Sequence, residues 1–234
     1  MRAAIDIILL LILAYCTWMG YKKGLINVCI GIVALVVALY GGSLLSSAFS
    51  SQIIPAFQPF AGGIIESRED AALADMGKAG TSVKDLIAAD PNAEYEYALH
   101  VFEETGIYEK RADNMASQVK ELCDGKDVEI NDALEQVFCK DMLYVAGTVL
   151  AAILILILFA VIANLANLTF HIPNHPKLEV AGGTAMGFVK GLVYCVLLCW
   201  CLSFCGLIIG KTVLHDSLLA RFFLLFEFIT AGIL

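Results

Sequence analysis

Charge is what this chain lacks. Only 16% of its 234 residues are Asp, Glu, Lys or Arg, against about a quarter in a soluble globular domain. No charged residue falls between Gly24 and Ile65, between Leu143 and Phe170, or between Gly191 and Gly210. Runs of that length exclude an ordinary soluble core, since about 20 apolar residues suffice for a helix to cross about 30 Å of hydrocarbon. Basic residues are scarcer than acidic ones, 15 against 23, so the basic face that a nucleic-acid partner requires is missing. Histidine is rare as well. His171 and His175 flank Pro173, which breaks the helical i, i+4 geometry of a zinc pair. No small-x-small cleavage site follows the first apolar stretch, so Ala3 to Met19 is expected to remain as an uncleaved helix.

The charges that exist are concentrated. Glu66 to Asp141 holds 19 acidic and 8 basic residues, a formal charge of −11, while the remainder carries +3. A nearly uncharged chain interrupted by one acidic segment reads as an all-α integral membrane protein with a polar insertion. The expected organisation is a transmembrane hairpin over residues 1–50, a polar acidic helical insertion over 51–142, a second hairpin over 143–210 and an amphipathic interfacial segment over 211–234. The four spans are placed at Ala3–Met19, in the run beginning at Gly24, at Leu143–Phe170 and at Gly191–Gly210. The stretch "SSAFSSQIIPAFQPFAGG" has the Ser, Pro and Gly density of an interfacial loop. Asp216, Arg221 and Glu227 make a fifth crossing costly, which favours a helix lying in the interface. Short-loop Lys22, Lys23, Lys177 and Lys190 mark the inner side, so both termini and residues 51–142 are expected outside.

Within the insertion, Asp90 and Pro91 signal a helix start and Gly106 its end. Tyr95, Ala98, Leu99 and Phe102 form one stripe, and Met115, Val119 and Leu122 a second that stops at Gly125. Asn131 is placed to cap a third helix whose Leu134, Val137 and Phe138 lead into the third span. No carboxylate pair here has a partner nucleophile, Gly-rich loop or metal spacing. Catalytic, cofactor and metal residues are therefore not expected, nor enzyme activity.

Eight cysteines raise a redox or metal question. Cys195 and Cys199 point about 120° away from Cys201 and Cys205 on one helix, so the four do not converge on an ion, and packing is the simpler role. Cys123 and Cys139 lie in the polar segment. They form a possible disulfide if that segment is outside and stay free thiols if it is inside. Asn164 and Asn167, three residues apart near the end of the third span, suit interhelical hydrogen bonding.

One string occurs twice. "AYCTWMGYKKGL" at Ala14–Leu25 returns as "AGGTAMGFVKGL" at Ala181–Leu192, identical at seven of twelve positions. Glycines four apart share a helical face and admit close helix approach. Gly20 and Gly24 stand in the first copy, and Gly183, Gly187 and Gly191 form a longer row in the second. Lys23 and Lys190 are expected at the membrane boundary, reaching headgroups or a partner carboxylate. Ala181–Val189 is about 13 Å long as a helix and does not cross alone.

These same residues carry a resemblance. An Asp at the start of the first helix (Asp6), a Gly-x-x-x-Gly turn (Gly20, Gly24), a Gly-x-x-x-Gly entry to the last span (Gly187, Gly191) and a following Ser-Leu patch (Ser217) resemble the colicin V production (CvpA) family. The match covers about half the chain and does not extend to the acidic insertion. What it implies is a multi-pass protein of the bacterial cytoplasmic membrane linked to toxin production or export and envelope homeostasis. Two functions follow as expectations. One is a non-enzymatic scaffold working with the lipid bilayer and with other membrane or envelope proteins. The other is a small transporter or channel component, working as a homo-oligomer. The scarcity of ionisable groups inside the last three spans favours the scaffold.

Overall fold

The computed structural model describes residues 2–89, 93–126, 128–165, 176–204 and 217–225. Eight helices and no strand occur among them. They are α1 (Arg2–Lys23), α2 (Leu25–Asp75), α3 (Val83–Ala89), α4 (Ala93–Glu104), α5 (Glu109–Lys126), α6 (Ile130–Leu165), α7 (Pro176–Leu202) and α8 (Leu218–Leu224). Four of these contain segments long and apolar enough to cross a membrane: Ala4–Lys23, Leu25–Ser50, Ile130–Asn164 and Lys177–Leu202.

The residues form two compact units. One comprises Met1–Ala48, Ala146–Cys201 and His215–Leu234, and the other Phe49–Val145 with Leu202–Leu214. Two of the four chain crossings between them fall well inside long helices, α2 and α6.

In the first unit a single residue, Gly24, separates α1 from α2. Its φ of +77° is a left-handed value that side-chain-bearing residues avoid. Gly24 N–H still donates to Gly20 O at 3.1 Å, and its own carbonyl accepts from Val28 N at 3.2 Å. The turn therefore leaves few backbone groups unsatisfied. Along α7, rising residue numbers meet falling numbers in α1 and rising numbers in α2. The two helices thus form a hairpin, with α7 antiparallel to α1.

Two expectations about the spans are corrected. The stretch expected as an interfacial loop is helical, and α2 runs unbroken through Pro55 and Pro59 to Asp75. Each proline removes one backbone donor and crowds the carbonyl four residues back. Membrane-type helices tolerate this when neighbours re-satisfy the backbone, and burial of Ala61, Ile65, Ala72 and Leu73 holds the following turns. The fourth span does not start at Gly191. Helix α7 begins at Pro176, so Ala181–Val189 is part of it. Cys205–Gly210, the end of the expected span, lies outside the described residues, as do His171, His175 and the Asp90–Pro91 helix start.

The second unit is built around α4, α5 and the first turns of α6. Tyr97, Val101 and Phe102 from α4 are fully buried, with Ala112, Met115 and Val119 from α5 and Leu134 and Val137 from α6. The α4 stripe is rotated from the expected one. Tyr95 and Leu99 are half-buried, and the Tyr95 hydroxyl donates to the Asp113 carboxylate on α5. Helix α5 continues through Gly125 to Lys126 rather than stopping there. Asn131 is not a cap, because α6 already begins at Ile130 and Ala133 N–H donates to Glu129 O. Gly106 closes α4 in a left-handed conformation, φ +85°. Beyond it, Tyr108 N–H donates to Ser203 O at 3.0 Å, and the Arg111 guanidinium stands 5.4 Å from the Phe204 ring centre. Of the C-terminal segment, only 217–225 belongs to the described residues; Lys211, Asp216 and Glu227 do not.

Replacing Gly106 by Ala forces a Cβ into left-handed backbone, a cost of about 1–2 kcal/mol. A guanidinium or thermal melt of the detergent-solubilised chain should register that loss. An unchanged midpoint would mean that the turn relaxes without strain.

Candidate functional site

The two copies of the repeated string pack against each other. A Cβ placed on Gly187 would lie 2.7 Å from Cys16 O and 2.9 Å from Gly20 Cα. One placed on Gly20 would meet Gly183 O and stand 2.7 Å from Gly187 Cα. Gly183 faces Gly20 O and Gly24 Cα, and Gly191 faces Leu13 Cα and the Cys16 side chain. At Gly20, Gly183 and Gly187 backbone thus rests on backbone, and no side chain larger than hydrogen fits there. At this separation the only attraction available between apolar helices in lipid, dispersion between closely packed atoms, is largest. One turn further, the buried Cys195 thiol reaches Leu9 O at 3.5 Å.

A second small-residue contact joins α2 to α6. A Cβ on Gly42 would fall 2.8 Å from Thr148 O and 3.0 Å from Ala152 N, and one on Gly147 would fall 2.6 Å from Ser46 Oγ. The Ala34, Ala38, Gly42 stripe is visible in the sequence. Its partner Gly147 stands alone in an aliphatic run and gives no comparable signal.

Asp6 and Ser217, 211 residues apart, meet directly. Ser217 Oγ donates to Asp6 Oδ1 at 2.6 Å, and Leu219 N–H donates to the same oxygen at 3.2 Å. Ser217 is also the N-cap of α8, its hydroxyl accepting from Ala220 N–H at 3.1 Å. An acid within an apolar helix is costly unless it is hydrogen-bonded. Here two donors and the start of a helix satisfy it.

Lys190 does not sit at a helix end. It lies seven residues, about 10 Å, beyond the level at which Gly183 meets the α1–α2 turn, in the interior of α7. The apolar segment Lys177–Leu202 therefore includes this lysine, which the expected span beginning at Gly191 did not. The Lys190 ammonium lies against Gly31 of α2, whose Cβ would be 2.7 Å from Nζ, and 5.7 Å from the Tyr194 ring centre. No carboxylate among the described residues pairs with it. Lys23, by contrast, ends α1 and is exposed, and Lys22 Nζ stacks 3.9 Å over the Trp18 ring.

Beside this lysine, α1, α2, α6 and α7 line a half-open apolar cavity of about 540 Å³. Cys16, Leu35, Ala152, Tyr194, Leu197 and Trp200 are among its walls. Neither the cavity nor the Gly31–Lys190 contact was legible in the sequence, because both depend on which helices are neighbours.

The remaining sequence candidates are not drawn into this site. Asn164 is exposed, one residue before the end of α6, and Asn167 lies outside the described residues. Cys123 on α5 and Cys139 on α6 are separate free thiols, with Cys139 buried. Burial, then Glu94 and Asp124, push the Cys123 thiol above its ordinary value. No group of three His, Cys, Asp or Glu side chains suited to a metal ion occurs among the described residues.

No family model matches the chain, and neither does any curated protein or solved structure.

Gly187→Ala should destabilise the detergent-solubilised protein by about 1–3 kcal/mol, the usual range for overpacking. Gly63→Ala, where nothing lies within 4 Å, should gain up to about 1 kcal/mol from helix propensity. Equal melting temperatures for the two variants would contradict the contact. The raised Cys123 value keeps the neutral thiol dominant further into the alkaline range. Its alkylation, followed by mass spectrometry, should lag that of an unperturbed cysteine near neutral pH and catch up only as pH rises. Glu94→Gln combined with Asp124→Asn should shift that rise to lower pH. A profile like that of free cysteine in the parent would contradict the assignment.

Proposed function

We propose that this chain is a multi-pass protein of the bacterial cytoplasmic membrane, similar to the CvpA family, that serves as a non-enzymatic scaffold. In this reading it supports colicin V-like toxin production or export and envelope homeostasis, through contacts with other membrane or envelope proteins. The observation that carries the reading is the use made of the residues behind the resemblance. Gly20, Gly24, Gly187 and Gly191 lock α1 and α2 to α7, and Asp6 and Ser217 join α1 to α8. Every one of them is spent on holding helices together, which suits a fixed frame better than a moving gate.

The proposed orientation keeps both termini and residues 51–142 outside. It rests on Lys22, Lys23 and Lys177, with Lys190 no longer counted because it lies within α7. The interior position of Lys190 also keeps a second reading in view, a small transporter or channel component, since an intramembrane cation often marks a pathway.

Mild-detergent purification after in-cell cross-linking separates the two. The scaffold reading expects a defined envelope protein in constant ratio with this chain, and no solute flux when the chain alone is placed in liposomes. Flux from the chain alone, with no constant partner, would overturn it. Orientation is tested by Ser82→Cys, at an exposed loop position. A membrane-impermeant thiol reagent should add one label over the parent in spheroplasts, and labelling confined to inverted vesicles would reverse the topology.

A further inference from the structure

A cation inside an apolar helix is expensive, by about 2.5–3.5 kcal/mol at a span centre. It is ordinarily paired, placed in water or allowed to reach a headgroup. Lys190 does not take the first of these routes among the described residues. Its ammonium is directed onto Gly31, about 10 Å past Gly24 along α2, and no carboxylate pairs with it. A Cβ at Gly31 would come within 2.7 Å of Nζ, so a side chain there would push the ammonium aside.

The apolar cavity begins at this level. Tyr194, whose ring Lys190 faces, and Cys16 line its near end. From there the walls run along α7 to Trp200 and Cys201, a further six or seven residues, about 10 Å. The volume of about 540 Å³ equals about 18 groups of the ~30 Å³ that a water occupies in the liquid. That suits one long alkyl chain and is small for two. The Lys190 cation, beside the Cys16 and Tyr194 end of this apolar slot, is complementary to a single-chain anionic amphiphile.

We propose that this cavity binds a long-chain fatty acid, its carboxylate at Lys190 and its chain running between α1, α2, α6 and α7 toward Trp200. The bound carboxylate supplies the counter-charge that the helices themselves lack, and the chain fills space that would otherwise cost packing contacts. The site stands whether the protein is a scaffold or a transporter, because it rests on the cation and the cavity alone.

The test uses the full chain in detergent, with a photoreactive long-chain fatty acid as the probe and mass spectrometry to locate the adduct. Labelling should fall on cavity-lining peptides of α1, α6 or α7. Palmitate should compete about tenfold better than hexadecanol, which has the same chain and no charge, as expected for one contact to a charged group. Lys190→Gln should abolish that preference and Lys190→Arg should retain most of it, while Leu197→Trp should block labelling by filling the slot. Should Lys190→Gln fail to fold, the acid-to-alcohol comparison and Leu197→Trp still decide the matter. Equal competition by acid and alcohol, undiminished labelling of Leu197→Trp, or a preference that survives in a folded Lys190→Gln would each overturn the proposal. Phosphatidylglycerol competing as well as palmitate would overturn the single-chain assignment.

Discussion

The membrane unit depends on one contact, glycine backbone against glycine backbone between α1 and α7. Lipid tails are as apolar as Leu, so helices in a bilayer gain little by hiding aliphatic side chains from solvent. They associate where close approach multiplies dispersion contacts. Gly20, Gly183 and Gly187 bring the axes close enough that a methyl group would strike a carbonyl oxygen or a Cα. Much else follows from that approach. It holds Gly24 at the α1–α2 turn, brings Gly31 beneath Lys190, and sets Cys195 against Leu9. The repetition of a short string 167 residues apart thereby acquires a physical reason, since each copy supplies half of the same interface.

Polar groups within this unit are few, and each has a distinct environment. Asp6 is held by two hydrogen-bond donors at the start of α8, a structural use of a half-buried acid. Lys190 has a glycine and an aromatic face but no described anion. The difference separates a residue that holds the fold together from one available to a ligand. The second unit is held differently. It has an aromatic and aliphatic core between α4, α5 and α6 and an acidic surface on which the exposed Lys84–Glu129 pair, at 3.3 Å, adds little stability.

Hydropathy made the four apolar helices legible, because long uncharged runs leave few alternatives in a chain this poor in charge. The same criterion misplaced the fourth span. A window that seeks uncharged residues starts after Lys190, whereas the helix begins at Pro176 and accepts the lysine because Gly31 makes room for it. Proline misled in a similar way. Pro55 and Pro59 signal a loop locally, yet the helix on either side is held by burial at Leu35 and Ala38 before them and Ala61 and Ile65 after. The glycine rows were readable by spacing, but that each row was the other's partner was not. Nothing in a one-dimensional pattern tells Gly187 whether it will meet Gly20 or the glycine of another chain.

Gly191 offers the most direct measurement, because its Cβ would lie 3.1 Å from the Cβ of native Cys16, a few tenths of an ångström short of the roughly 3.5–4.5 Å of a disulfide. Gly191→Cys, treated with a mild oxidant in membranes, should form an intramolecular bond to Cys16, seen as a linked peptide and lost in a Cys16→Ser background. If the two thiols stay separate, or link only between chains, the two copies of the string do not pack on each other within one molecule. The frame described for α1, α2 and α7 would then be wrong.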